Sequence, residues 1–148
     1  LPKRFGLAYV DQEGREQQPI MLHRVLLGSV ERFIGALIEH YKGNLPLWLS
    51  PTQVSIVPIK DTFLGYSQKV KDALEYVGVR VALDSRNESL NKRIRNSEVE
   101  KIPYLLTIGD REVAANTVSV RKKGEKEVAA MPVEEFVKKL QKEIKEKR

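Results

Sequence analysis

The sequence has no cysteine, which excludes a disulfide framework, a thiolate metal cluster and a cysteine nucleophile. It has two histidines, His23 and His40, but no His-Glu-x-x-His helix. A phosphate-binding glycine loop and a Gly-x-Ser-x-Gly elbow are also missing, so no complete catalytic constellation is written in the chain. No apolar run approaches the ~18 residues that span a bilayer, and no signal-peptide pattern is visible. A cytoplasmic protein without a membrane partner is the expectation. Internal repeats and low-complexity segments are absent as well.

What is present is 148 residues with a net charge of +6. That length suffices for one domain with a core, or for a domain joined to a piece of another. Because the chain opens on Leu1 in strand-like sequence, it reads as part of something longer. A basic balance favours a polyanionic partner, and where the charge sits matters more than its sum.

Phe5–Val10 and Gln18–His23 read as two strands of a hairpin around the turn Asp11–Gly14. Gly28 and Ser29 then break the pattern. Val30, Phe33, Ile34, Leu37, Ile38 and Tyr41 follow at helical spacing, which predicts one buried stripe. Ser29 can cap this helix, and Gly43-Asn44 can end it. Such a helix start favours an anion. Arg32, one turn in, can lie beside that anion or stack on a flat ring. His40 reads as a partly exposed polar residue.

Pro46 and Pro51 frame an apolar connector, Leu45–Pro51, where a domain boundary is expected: residues 1–48, then 49–148. Beyond it, strands at Val54–Ile59, Val79–Leu83 and Pro103–Ile108 alternate with helical patterns. Tyr66, Val70, Leu74 and Val77 mark the first helix, and Leu90, Ile94 and Val99 the second. This order implies parallel strands with right-handed crossovers. Thr117–Lys122 and Glu127–Met131 add two strands around a turn at Lys123–Lys126. Pro132 opens a last helix with Val133, Phe136, Val137, Leu140 and Ile144 on one face. The tail from Lys138 to Arg148 reads as a solvated helix end. The fold class is therefore α/β: a mixed, mostly parallel five-stranded sheet flanked by three helices, preceded by a β-hairpin and a helix.

Ligands of open parallel sheets usually sit beyond the carboxyl ends of the strands. That edge carries Asp84–Glu88 and Gly109–Glu112. Between Arg86 and Lys123, nine basic residues face five acidic ones, which concentrates positive charge there. The residue types suit unpaired RNA bases. Asn87 offers donor and acceptor. Arg95 and Arg121 can each donate two parallel bonds to a guanine edge or a phosphate. Glu112 can accept from guanine N1 and N2. The bland alternative is a set of ordinary surface ion pairs.

The string Pro19–Arg24 through Gly28-Ser29-Val30-Glu31-Arg32-Phe33-Ile34-Gly35 resembles motif 3 of class II aminoacyl-tRNA synthetases, in the version of the threonyl family. Asp84–Glu88, Lys92–Arg95, Lys101–Tyr104, Gly109–Val113 and Val118–Arg121 resemble successive blocks of that family's anticodon-binding domain. Prolyl, glycyl and histidyl enzymes share this domain. Arg-Asn-Glu and Gly-Asp-x-Glu recur among them, so the His-Arg-x-x-Leu-Gly-Ser block carries the threonine assignment.

The resemblance implies the end of a class II catalytic domain followed by an anticodon-binding domain for tRNA(Thr). In the parent it implies ATP and threonine as substrates, a zinc ion, and a homodimer built through the catalytic domain. It implies that Arg32 stacks on the adenine of ATP and that His23 is one zinc ligand. Asn87, Arg95, Lys101, Glu112 and Arg121 fall where the family contacts the anticodon. Lys101 stands where the family has arginine, keeping the charge but losing the two-pronged fork. Neither ATP nor zinc is expected to be held by this chain alone, and it is expected to be inactive alone. The alternatives are a sister synthetase and a non-catalytic paralogue that kept the anticodon fold.

Overall fold

Apolar runs bounded by glycine and proline set the layout in a computed structural model that describes residues 1–125 and 127–147. The chain forms two compact units, Leu1–Leu37 and Ile38–Arg148.

In the first unit the hairpin is shorter than its sequence suggests. Strand β1 (Tyr9–Val10) pairs with β2 (Glu16–Gln17) in antiparallel register, Tyr9 opposite Gln17 and Val10 opposite Glu16. Asp11 Oδ1 accepts the Glu13 and Arg15 backbone N–H groups, both at 2.9 Å, and so fixes the turn. The strand expected over Gln18–His23 does not form, and β2 ends just before it at Gln17. Residues 18–29 carry no regular structure, and Ile20 and Leu22 are 88% and 91% exposed. An apolar strand needs a neighbour for its backbone groups and a surface for its side chains, and no strand described here supplies either.

Helix α1 spans Val30–Tyr41. Ser29 Oγ accepts the Arg32 N–H at 3.4 Å and donates to Glu31 Oε2 at 2.8 Å, so the expected cap is present. The expected buried stripe is not. Val30, Phe33, Ile34 and Ile38 are each about half exposed, and no residue of the helix is buried. The amphipathic pattern is real, but nothing described in this chain covers it.

In the second unit the five strands are β3 (Val54–Pro58), β4 (Val81–Leu83), β5 (Tyr104–Ile108), β6 (Thr117–Lys122) and β7 (Ala129–Pro132). They lie in the order β4-β3-β5-β6-β7. The pairs β3–β4 and β3–β5 are parallel, and β5–β6 and β6–β7 are antiparallel. Helices α2 (Leu64–Tyr76), α3 (Leu90–Val99) and α5 (Val133–Lys145) flank the sheet. A short helix that the sequence pattern did not announce, α4 (Asp110–Ala115), follows β5. Pro132 closes β7 and precedes α5 rather than occupying its first turn. The β6–β7 turn includes Lys126, which lies outside the described residues, as does Arg148 of the tail.

Alternation along the strands sorts the two faces. Val54 and Ile56, Tyr104, Leu106 and Ile108, and Val118 and Val120 form one buried cluster with Val70 and Leu74 of α2 and Phe136 and Leu140 of α5. Helix α3 lies on the other face, where Ser97 Oγ meets Ser55 Oγ at 2.9 Å. Its buried residues are Arg93 and Ser97, whereas Val99 is 70% exposed.

The connector Leu45–Pro51 belongs to this unit. Leu47 is buried, Gln53 Nε2 donates to Leu47 O at 2.9 Å, and Gln53 Oε1 accepts the Arg80 N–H at 2.9 Å. Arg80 Nη2 donates to Trp48 O and Ser50 O. The compact unit thus begins before residue 49, because hydrogen bonds tie the proline-framed segment to the residues ahead of β3 and β4.

Candidate nucleic-acid interface

The loop Asp84–Ser89 leaves the carboxyl end of β4 and leads into α3. Local bonds hold it. The Arg86 backbone N–H and Nε donate to Asp84 Oδ1 at 3.1 and 2.9 Å, and Nη2 donates to Oδ2 at 2.6 Å. The Arg86 guanidinium keeps the Asp84 carboxyl below the usual carboxylate range. Glu88 pairs with Lys92 at 2.7 Å. From beneath, buried Arg93 donates Nη1 to Asp84 O at 3.1 Å. Asn87 rides on this frame, exposed, with no side-chain partner among the described residues. Arg95 on α3 is likewise exposed and unpartnered among them.

Glu112 sits in the first turn of α4. Its Oε2 accepts the Gly109 N–H at 2.9 Å, and its Oε1 accepts Ser119 Oγ–H at 2.6 Å. This explains the Gly-Asp-x-Glu string physically. A Cβ at position 109 would stand 3.2 Å from Glu112 Oε2 and 2.8 Å from Ile59 Cδ1, so glycine lets the carboxylate reach the N–H. Each oxygen keeps a second lone pair for another donor.

The Ser119 hydroxyl, with the Gly109 N–H, holds the Glu112 carboxyl below its ordinary range. A carboxyl lowered by folding stabilises above its unfolded value, and that contribution is lost as pH falls through the folded one. The Gly109 amide proton shift is therefore expected to titrate with a midpoint below that of an ordinary glutamate, and Glu112→Gln should abolish the transition. A midpoint in the ordinary range would mean that these bonds do not form in solution.

Arg121 lies on β6, opposite Leu105 of β5, on the face that carries α3. Its Nη2 is bonded to Glu98 Oε1 near the end of α3. Arg95 lies one turn before Glu98, on the same flank of the helix. A cleft of about 310 Å³ opens here, lined by Glu98, Ile102, Leu105, Arg121 and Lys123 among others. Burial and the nearby Lys101 ammonium lower the Lys123 amine below its usual range.

Lys101 points elsewhere. It is the left-handed residue that ends α3, with φ 58°, where Ile102 N–H reaches Ser97 O and Lys101 N–H reaches Glu98 O. Its Nζ donates to Lys42 O at 2.6 Å.

The expected residues therefore do not share one edge. Asn87 and Glu112 stand at the carboxyl ends of the parallel strands. Arg121 stands toward the opposite end, beside the cleft, and Lys101 is tied to the chain after α1. The carboxylate that touches Arg121 is Glu98, which the sequence reading did not single out. No short motif marks it, and only the packing of α3 across the sheet, against β3, brings it to the arginine.

In the first unit Arg32 is exposed in the first turn of α1, compatible with stacking on a ring. Among the described residues His23 stands as a single possible zinc donor. His23 is exposed, and among the described residues no three His, Cys, Asp or Glu side chains could hold a metal ion together.

Residues 53–143 match the family model described as anticodon binding domain. A threonine–tRNA ligase of Clostridioides difficile is 49% identical over 144 residues, covering 97% of this chain and 22% of the relative. One from Aquifex aeolicus is 48% identical over 147 residues, covering 99% of this chain and 22% of the relative. The chain thus spans about a fifth of these relatives' length. Among solved structures, the RNA binding domain of threonyl-tRNA synthetase from Cryptosporidium parvum Iowa II aligns with a TM-score of 0.74 and 31% identity. That alignment covers 95% of this chain and 36% of the other.

Proposed function

Because the chain belongs to the anticodon binding domain family, we propose that its second unit binds the anticodon loop of tRNA(Thr), as the C-terminal part of a threonine–tRNA ligase. The observation that carries the reading is the Arg121 guanidinium beside an open cleft, with Arg95 on the neighbouring flank of α3. Guanidinium groups on a basic, partly open sheet face suit the edges and phosphates of unpaired nucleotides. In the parent enzyme, threonine is activated with ATP and transferred to tRNA in the cytoplasm. The residues before the connector close the catalytic domain, Arg32 stacks on adenine, and that domain forms the homodimer. The exposed Arg32 on a serine-capped helix start supports its part in this reading. His23 contributes one zinc ligand there, with the other donors supplied from outside this chain. No helix among the described residues is long and apolar enough to cross a membrane.

Threonine tRNAs, as the family implies, end their anticodons in guanine and uracil. The test is binding of anticodon stem-loops with that guanine intact or swapped, at fixed salt. Arg121→Ala is expected to cost about 1–3 kcal/mol on the intact loop and less on the swapped one. Exposed Lys145→Ala should cost little and mainly reduce the salt dependence. If Arg121→Ala weakens every loop by one factor, Arg121 is a phosphate contact and the base-reading role is wrong.

A further inference from the structure

A side chain that reads a base must be ordered when the base arrives, and ordering a long arginine on binding weakens affinity. Glu98 meets this need. Its Oε1 takes a single contact from Arg121 Nη2, and no other hydrogen bond to the guanidinium forms among the described residues. A guanidinium presents two two-donor edges, Nη1 with Nη2 and Nε with Nη2. One contact at Nη2 restrains the position of the group and leaves one of these edges intact. Both side chains line the cleft. Glu98 is 49% and Arg121 37% exposed, so the unused edge is open to a ligand. Glu112 is placed differently, since its two oxygens already serve Gly109 and Ser119.

We propose that Glu98 is a specificity-determining positioning residue, which holds the Arg121 guanidinium so that its open edge meets the O6 and N7 of guanine. This rests on the reading of Arg121 given above. Glu98 acts through Arg121 and not on RNA, so its effect must appear in the discrimination between loops and must vanish without Arg121. The loss of one negative charge should by itself tighten all loops alike.

The experiment measures binding of stem-loops with the guanine intact or swapped to wild type, Glu98→Ala, Arg121→Ala and the double variant. Glu125→Gln serves as a charge control in the same cleft. Glu98→Ala is expected to reduce discrimination by roughly 2- to 12-fold, the cost of ordering one long side chain. Glu98→Gln, which keeps a neutral acceptor, should recover part of the loss. In the Arg121→Ala background Glu98→Ala should leave the ratio unchanged, and Glu125→Gln should shift both loops equally. Wild-type discrimination retained in Glu98→Ala would overturn the proposal. So would a selective gain for the guanine loop, because Glu98 would then compete for the arginine instead of presenting it. A wild type that does not discriminate removes the base-reading role of Arg121, and this proposal with it.

Discussion

Phe136→Ala is expected to destabilise the second unit by about 3–5 kcal/mol. Phe136 is fully buried on α5 and packs edge-on against Tyr104, with ring centroids 5.5 Å apart at 76°. It sits among strand residues of β3, β5 and β6 and the apolar face of α2. Truncation removes the transfer free energy of the ring and leaves a cavity that a sheet and a second helix cannot close without moving. Tyr104 has its own anchor, because its hydroxyl donates to the Glu143 carboxylate at 2.8 Å, and so cannot swing in to fill the gap. The measurement is urea unfolding, with the midpoint falling and the slope unchanged. A loss under about 1.5 kcal/mol, the range of volume-conserving swaps, would show that the core repacks around the gap.

Gln53→Met tests the buried polar clamp. It keeps the volume and removes both side-chain bonds, the donation to Leu47 O and the acceptance from the Arg80 N–H. Gln53 is 1% exposed, so the Arg80 N–H is left facing a thioether that accepts only weakly. The expected cost is about 2–3 kcal/mol. Leu47 O keeps the Ser50 N–H at 3.3 Å, so most of the effect falls on the Arg80 side. The connector should also become cleavable near Trp48 at protease concentrations that leave the wild type intact. An unchanged midpoint and an unchanged cleavage pattern would show that water replaces the amide.

The second unit was largely legible because its signals are local and its partners lie within the chain. Val54–Pro58 is apolar except for Ser55 and buried on both faces, and Tyr104–Ile108 is apolar except for Thr107, the one residue of that strand left part-exposed. The hairpin could be misjudged for the opposite reason. Pro19–Leu22 is as apolar as a core strand, but apolarity states a demand for burial and does not say whether the burying surface is present. The stripe on α1 makes the same demand and meets no answer here. Helix α4 escaped notice because six residues give too short a window for a period of 3.6. The residue types for base contact could be picked out, yet their grouping could not. Arg121 and Glu98 are 23 residues apart, and only the crossing of α3 over the sheet joins them. Lys101 was read by its charge, while its backbone conformation at the end of α3 decides where its side chain goes.

The order of the sheet leaves β4 and β7 as its two rims. An unpaired rim is a template on which another extended chain can grow, and long regular rims invite aggregation. Here one rim strand is only three residues long, Val81–Leu83. The other ends in Pro132, which offers no N–H for a further ladder. The sheet is thereby poorly suited to recruit a sixth strand from a neighbour, and it can remain open-sided in solution without a cap over either rim.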